Sequence, residues 1–377
     1  MAGIYLHIPF CKQACAYCNF HFSTNLSRKA EFLDALSKEI CQQNDFISKE
    51  EPIETIYFGG GTPSLLTPLE LQHIISLLHN NFQIANDVEI TLEANPDDIN
   101  PTTLKTWLSL GINRLSLGVQ SFSDDELLWM NRAHNSNQSI ESIKQIIDAG
   151  FDNFSVDLIF GSPFLTNEAL EKSIEILSNL NVPHISCYAL TVEEKTALHH
   201  SIKKKKSPEI KSEKQAEQFL ICSEKLTQLG YEHYEISNYA KPGKRSKHNS
   251  SYWKGMPYHG FGPSAHGFNG KNIRKWNISD NILYNQRVLN NENSFEVELL
   301  TETQLINEFI MTSIRTIEGF TIQEVKYKFG VEIAKDLEAK IKNLKITNYF
   351  QNIDDNQIVL SQLGKLYADG ITAELFF

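Results

Sequence analysis

The stretch IYLHIPFCKQACAYC, residues 4–18, combines a short apolar run with three closely spaced cysteines. The run Ile4–Phe10 is rich in apolar and aromatic residues, which predicts a β-strand. Cys11, Cys15 and Cys18 follow it with the spacing C-x3-C-x2-C. The sequence therefore predicts three thiols on one loop, directly after the first strand of the fold.

Three cysteine thiolates at such short spacing are typical of iron–sulfur ligation. A cubane cluster needs four ligands, so these three leave one iron open to a small molecule. A structural zinc site with His21 as the fourth ligand is the alternative that the residues leave open. Disulfides are disfavoured, because the chain has only 6 cysteines and no sign of a small stapled fold. The scattered cysteines are expected to be small buried hydrophobic residues rather than ligands; they are Cys41, Cys187 and Cys222.

Length and composition indicate an ordinary globular chain. Its 377 residues can form one large domain and a smaller one, and its 41% hydrophobic and 21% charged residues are unremarkable values. The formal net charge of −11 argues against nucleic acid as a main partner. No apolar stretch reaches the length of a membrane span, so we expect no span and a reducing cytoplasm as the compartment.

Strand-like and helical patterns alternate over the first 240 residues, which predicts a parallel sheet with helices outside it. Six such units predict an α/β fold, an incomplete (β/α)6 barrel in which ligands collect at the carboxyl ends of the strands. The predicted strands are Ile4–Ile8, Thr55–Phe58, Glu89–Glu93, Arg114–Gly118, Phe154–Phe160 and His184–Leu190. The predicted helices are Arg28–Cys41, Pro68–Asn80, Thr102–Leu110, Asp124–Met130, Ser139–Ala149 and Glu168–Leu180.

Changes in composition divide the chain into three parts: a barrel over residues 1–235, an irregular segment over 236–300, and a C-terminal module over 301–377. The middle segment is rich in Gly, Pro, His and aromatic residues and shows little periodicity. The last part is helical and ends in two β-like stretches, Tyr349–Ile353 and Gln357–Leu360, which predicts a winged-helix-like module. Its 11 acidic residues outnumber its 8 basic ones, so we expect packing or a lid rather than DNA binding.

The sequence GGGTP, residues 59–63, follows the second predicted strand. Glycines there would let the backbone approach a ligand closely, and Thr62 and the amides could hydrogen-bond it. The run lacks the lysine of a phosphate loop, which disfavours a nucleoside triphosphate.

Polar residues also stand at the later strand ends. Glu93 ends the third strand, Gln120 ends the fourth, and Asp157 lies within the apolar fifth. A buried carboxylate is costly without a partner, and Arg132 is the natural partner for a carboxylate of the protein or of a ligand. Each residue alone is equally consistent with a structural ion pair. Together they outline a polar ligand beside the cysteine loop.

The sequences YLHIPFC (residues 5–11) and GVQSF (residues 118–122), with the cysteine spacing, resemble the oxygen-independent coproporphyrinogen III oxidase group of radical S-adenosylmethionine (SAM) proteins. The resemblance runs over nearly the whole chain. It implies that Cys11, Cys15 and Cys18 hold a [4Fe–4S] cluster and that SAM chelates the open iron through its amino and carboxylate groups. One electron from the cluster would cleave SAM to methionine and a 5′-deoxyadenosyl radical.

Carried over by position, the resemblance implies a SAM pocket at the strand ends. It places an aromatic residue beside the cluster, the glycine turn at the methionine end of SAM, and a carboxylate at its sugar or amino group. These residues are Tyr5, Gly60, Gly61, Thr62, Glu93, Gln120, Arg132 and Asp157.

Two features resemble a branch of this group whose members are haem chaperones. The sequence CNFHF, residues 18–22, lacks the further cysteine that follows the third ligand in the true oxidases. The sequence HNSSYW, residues 248–253, matches an HNxxYW pattern connected in that branch with haem. The resemblance implies haem binding by His248, Tyr252 and Trp253, and an imidazole ligand with two packing aromatic rings is chemically reasonable.

Two functions follow as hypotheses. The first is a haem chaperone that binds the cluster, SAM and haem, receives electrons from a donor, and delivers haem to haem-accepting proteins. The second is an oxidase that decarboxylates two propionates of coproporphyrinogen III with two SAM molecules. Radical chemistry on another substrate is a weaker third hypothesis. His259 and His266 are further candidates for binding iron or shaping the pocket, and His7 and His21 for tuning the cluster.

Overall fold

The computed structural model describes residues 2–344, 348–351 and 357–377. Within them twelve strands form one sheet, and its centre is a run of six parallel strands in chain order. The prediction of an α/β partial barrel is therefore confirmed. The central strands are β1 (Ala2–Ile8), β2 (Ile53–Gly60), β3 (Ile84–Ala94), β4 (Arg114–Gln120), β5 (Phe154–Phe160) and β6 (His184–Ala189).

Helices follow these strands close to where the apolar periodicity predicts them. The second helix starts with a capping box, in which the side chain of Thr67 accepts a hydrogen bond from the Glu70 amide and the side chain of Glu70 accepts one from the Thr67 amide. The helices of this part are α1 (Lys29–Gln42), α2 (Pro68–Asn81), α3 (Pro101–Ser109), α4 (Asp124–Trp129), α5 (Ser136–Asp148), α6 (Asn167–Asn179), α7 (Ala197–Lys203) and α8 (Ser212–Gln228).

The central strands alternate between an apolar outer face and a polar inner face. Ile4, Leu6 and Phe58 are fully buried in the core that the strands share with the helices. The intervening side chains of β1 and β2, such as Tyr5 and Tyr57, face each other inside the barrel. This period of two puts every second residue of each strand into one interior, where a ligand could be bound.

Residues 236–300, expected to be irregular, instead extend the sheet at both edges. At one edge a hairpin pairs antiparallel with β6, and the first strand of this hairpin precedes residue 236. At the other edge a strand pairs parallel with β1 and continues into an antiparallel meander. These strands are only three to five residues long, too short for a periodic signal, and they depend on partners distant in sequence. The elements are β7 (Glu232–Glu235), β8 (Asn238–Ala240), α9 (Lys247–Trp253), β9 (Tyr258–Phe261), β10 (His266–Phe268), β11 (Ile273–Asn277), α10 (Asn281–Leu289) and β12 (Phe295–Leu299).

The C-terminal part has a hydrophobic core of its own, including Ile310 and Leu337. Phe350 bridges antiparallel to Leu360, as the predicted wing requires, whereas Ile353 lies outside the described residues. The described chain contains no helix long and apolar enough to cross a membrane. The elements are α11 (Glu302–Ser313), β13 (Phe320–Thr321), α12 (Ile322–Phe329), α13 (Val331–Leu344), β14 (Gln357–Ile358), α14 (Gln362–Leu366) and α15 (Ala368–Leu375).

Candidate functional site

The cysteine loop lies between β1 and α1 and is held by backbone hydrogen bonds. The Cys11 amide donates to the Ser23 carbonyl at 3.0 Å, and the Ala16 amide donates to the Met130 carbonyl at 3.0 Å. Cys11, Cys15 and Cys18 are half-buried free thiols. Burial raises the pKa of Cys11, and raises the pKa of Cys18 to about 11, so binding of a cation must displace their protons.

The fourth ligand of the zinc alternative, His21, has one of its two ring nitrogens engaged. Nε2 of His21 is hydrogen-bonded to Oδ1 of Asn281 at 2.6 Å. Across residues 2–344, 348–351 and 357–377, no three His, Cys, Asp or Glu side chains are arranged to hold a metal ion. The thiols of a cubane cluster bind different irons, so they need not converge on one point.

Arg132, between α4 and α5, connects the cysteine loop to the strand ends. Its Nη1 lies 3.2 Å from Sγ of Cys15, and its Nη2 donates to Oδ1 of Asn95 and to the Gly118 carbonyl, both at 2.6 Å. The guanidinium thus places a positive charge beside a cysteine sulfur. It does not pair with Asp157, the protein carboxylate proposed as its partner.

Asp157 occupies the barrel interior on β5. The hydroxyls of Ser186 and Ser116 favour its carboxylate form, while its Oδ1 is a buried acceptor without a hydrogen-bond partner in the described chain. Burial raises the pKa of this carboxyl to about 6. A buried acceptor without a donor is rare in folded proteins, and a ligand hydroxyl or ammonium group would satisfy it.

Glu93 ends β3 on the same inner face. The Tyr57 hydroxyl donates to its Oε1 at 2.8 Å, and the ring of Tyr5 stacks on Tyr57 with centroids 6.1 Å apart. The surrounding protein desolvates this carboxyl, although part of its side chain remains accessible. Desolvation, together with the charge of Asp157, raises the pKa of Glu93 to about 7. Glu93 can therefore accept or hold a proton near neutral pH.

The glycine turn after β2 packs against the strand that leads into the cysteine loop. The Gly61 amide donates to the Ile8 carbonyl at 2.8 Å, and the Thr62 amide donates to the Phe10 carbonyl at 2.7 Å. A Cβ at Gly61 would lie 2.6 Å from the Phe10 carbonyl oxygen, so only glycine fits. The glycines were expected to let the backbone approach a ligand. In the structure, Gly61 instead lets the turn approach the backbone of the strand that leads into the cysteine loop.

Two further pocket residues have unusual backbone angles at strand ends. Gly60 has φ of 109° and packs against the ring of His7, and Gln120 has φ of 70°, which is uncommon for a residue with a side chain. Asn95, which the sequence did not single out, connects Arg132 to the glycine turn. Its Oδ1 accepts a hydrogen bond from Arg132, and its Nδ2 lies 3.4 Å from the Thr62 hydroxyl. Its only signal was its position just after Glu93.

His248, the first residue of the HNxxYW pattern, lies at the opposite end of the barrel. It is 1% exposed, and both ring nitrogens are hydrogen-bonded: Nδ1 to the Thr55 hydroxyl at 2.7 Å and Nε2 to the Tyr252 hydroxyl at 2.8 Å. Burial lowers its pKa to about 3, so the ring is neutral. The structure therefore offers no free nitrogen of His248 to a haem iron.

The backbone around His248 is fixed by a buried carboxylate. Glu89 on β3 accepts from the amides of Lys247 and His248 at 3.2 and 3.0 Å, and Nε of Arg114 lies 4.0 Å away. The start of α9 is thereby anchored inside the barrel, and Tyr252 and Trp253 follow on the same helix.

Two cavities meet at α9. One of about 350 Å³ is lined by Tyr5, His7, His21 and His266 near the cysteine loop, whereas His259 is buried outside it. The other, of about 1,100 Å³, lies between α9 and the C-terminal module and is lined by Trp253. Tyr252 and Tyr258 line both.

Comparison with known proteins identifies the family of this chain. Residues 5–209 match the model of the Radical SAM superfamily, to which the chain belongs. Within it, the chain is 33% identical to the heme chaperone HemW of Bacillus subtilis over 98% of both chains, and 30% identical to that of Haemophilus influenzae over 99% of this chain and 97% of the relative. The chain is thus a member of the HemW family.

A solved structure of coproporphyrinogen III oxidase (HemN) from Escherichia coli has the same fold. The TM-score is 0.85, with 23% sequence identity, and the match covers 100% of this chain and 90% of that one. At this identity the likeness establishes the fold, including the helical C-terminal module.

Proposed function

We propose that this protein is a radical SAM haem chaperone, which binds haem and delivers it to acceptor proteins. The observation that carries the proposal is that Tyr252 of the HNxxYW helix lines both the cavity beside the cysteine loop and the larger cavity behind it. The relatives named heme chaperone HemW, which the chain matches over almost its whole length, support the same function.

The cluster assignment rests on the donor set. Cys11, Cys15 and Cys18 would hold the [4Fe–4S] cluster, and the guanidinium of Arg132 lies against Sγ of Cys15. The three free thiols on one anchored loop fit such a group. When reduced, a [4Fe–4S] cluster with an open iron supplies one electron for cleavage of bound SAM.

The SAM assignment rests on the polar interior. The unpartnered Oδ1 of Asp157 and the desolvated carboxyl of Glu93 would meet ammonium and hydroxyl groups. The remaining proposed SAM-binding residues lie on β1, at or just after the ends of β2 and β4, or next to Cys15; they are Tyr5, Gly60, Gly61, Thr62, Gln120 and Arg132. Glu93 would exchange protons with the ligand near neutral pH, while Tyr57 orients it.

We further propose that three segments of the chain have different roles. Residues 1–235 would bind the cluster and SAM, 236–300 would carry the haem-binding pattern, and 301–377 would cover it. His248 would act by positioning Tyr252, because its own nitrogens are engaged. An electron donor and haem-accepting proteins would be the macromolecular partners, and a reducing cytoplasm remains the expected setting.

A paired assay on anaerobically reconstituted protein tests the proposal against the oxidase alternative. Coproporphyrinogen III, SAM and a reductant are supplied and the product is followed by mass, while haem is titrated in a separate sample. We expect stable haem binding and no decarboxylated product. Formation of protoporphyrinogen, in which two propionates have become vinyl groups with loss of two carbon dioxide molecules, would replace the chaperone proposal with an oxidase.

A further inference from the structure

The cavity between α9 and the C-terminal module is large and has several aromatic rings in its walls. Its volume of about 1,100 Å³ is slightly above the about 300–1,000 Å³ usual for small-molecule sites. Aromatic rings from four separate elements line it: Trp253 on α9, Phe268 on β10, Phe309 on α11 and Phe329 on α12. Such walls favour an extended aromatic surface over a polar metabolite.

The charge of the lining is opposite to that of the whole protein. Six cationic residues line the cavity against four acidic ones, whereas the chain carries a net charge of −11. In the described part of the chain, no carboxylate is within ion-pairing distance of the ammonium groups of Lys254, Lys271 or Lys328. These three lysines are therefore available to pair with carboxylates of a ligand.

The cavity also offers soft donor atoms. Two of the chain's four methionines, Met256 and Met311, line it, and no histidine among the described residues does. Thioether sulfur is a common axial ligand of haem iron. The hydroxyls of two lining tyrosines, Tyr252 and Tyr234, are already hydrogen-bonded to buried histidines.

We propose that this cavity binds the haem itself, with its propionates near Lys254 and Lys271 and a thioether of Met256 or Met311 as an axial ligand. The inference rests on the proposed haem-chaperone function and assigns its site. It assigns the axial ligand of the haem iron to a methionine in the cavity wall formed by α9 and the C-terminal module, and not to the buried His248. Tyr252 and Tyr258 then separate the haem from the cavity beside the cysteine loop.

The test is a titration of the full-length chain with ferric haem, followed by absorbance for affinity and by electron paramagnetic resonance for the axial ligands. The double variant Lys254→Glu/Lys271→Glu should bind about tenfold or more weakly, because it reverses the charge that faces the propionates. Lys105→Glu on α3, remote from the cavity, is the matched control and should bind normally.

The ligand assignment is tested with Met256→Leu/Met311→Leu, which keeps the side-chain volume but removes both sulfurs. We expect the thioether signature to be lost; Met130→Leu, outside the cavity, should retain it. Unchanged affinity in the lysine variant overturns the site, and an unchanged spectrum in the methionine variant overturns the ligands. If the unmodified chain binds no haem, the proposed function itself is overturned.

Discussion

The imidazole of His248 stacks on the ring of Tyr57, with centroids 4.9 Å apart and an interplanar angle of 24°. The Tyr57 hydroxyl donates to Glu93 in the proposed SAM pocket, while His248 is hydrogen-bonded to Tyr252 at the wall of both cavities. One continuous set of packed side chains therefore joins the carboxyl end of the barrel to α9. Glu93 and the proposed haem site are thus connected through three side chains in contact.

Replacement of Cys15 by alanine should abolish the visible absorbance of the reconstituted cluster, because only two thiolates would remain on the loop. Iron and sulfide content measured after anaerobic reconstitution checks this. The control is Cys41→Ala: this cysteine is exposed, not buried as the sequence suggested, and it should not affect cluster content. Full cluster content in the Cys15 variant would contradict the ligand assignment.

Glu93 should make the stability of the metal-free chain depend on pH. Its pKa rises from 4.5 to about 7 on folding, so its contribution is fully present below about pH 4.5 and is lost as the pH rises through 7. Relative to Glu93→Gln, which cannot titrate, the unmodified chain should lose free energy of unfolding across this range. Denaturant unfolding at intervals between pH 5 and 8 measures the difference.

Asp157, whose pKa is also raised, is present in both chains, so the difference reports the titration of Glu93 together with its interaction with Asp157. Glu141→Gln, an exposed substitution on α5, should instead leave the pH profile as it is in the unmodified chain. Parallel profiles for the unmodified and Glu93→Gln chains would show that Glu93 does not titrate in this range.

Replacement of Glu89 by alanine should destabilise the fold by about 3 to 5 kcal/mol, because the buried Arg114 loses its ion-pair partner and two amides of α9 lose their acceptor. Haem affinity should fall as well, since α9 loses its anchor. Asp87→Ala removes an exposed carboxylate two residues away and should cost less than about 1 kcal/mol. Urea unfolding compares the two, and equal stabilities would refute the anchoring role.

Replacement of His248 by alanine should weaken haem binding while leaving the axial-ligand spectrum unchanged, because the imidazole positions Tyr252 rather than binding iron. His79→Ala, an exposed histidine near the end of α2, is the control. A changed ligand spectrum in the His248 variant would restore iron ligation to this residue. Undiminished affinity would remove it from the haem site altogether.

Much of the barrel could be predicted from local patterns. The fifth strand, Phe154–Phe160, was predicted to the residue, because a β-branched and aromatic run bounded by polar residues has few alternatives. The strands after residue 236 could not be predicted, since Gly3 pairs with Tyr258 and such pairing leaves no local trace. Helices α14 and α15 at the C-terminus were likewise missed.

The candidate site divides in the same way. The thiols, the glycine turn, Glu93 and Asp157 could be selected because each is an unusual residue in its local context. The contacts between these residues could not be predicted. Arg132 faces Cys15 rather than Asp157. Asn95 contacts both Arg132 and Thr62, although nothing in its local sequence marks it as a site residue.

The sequence by itself determined the chemistry of this protein: a three-thiol loop after the first strand, polar residues at successive strand ends, and an aromatic motif at residues 248–253. The tertiary structure alone decided that His248 is buried with both nitrogens engaged, and that Tyr252 borders two cavities. The physical reason is that residue identity and spacing define what a side chain can bind. Its accessibility depends on neighbours, such as Thr55 and Tyr57, that are nearly 200 positions away in the chain.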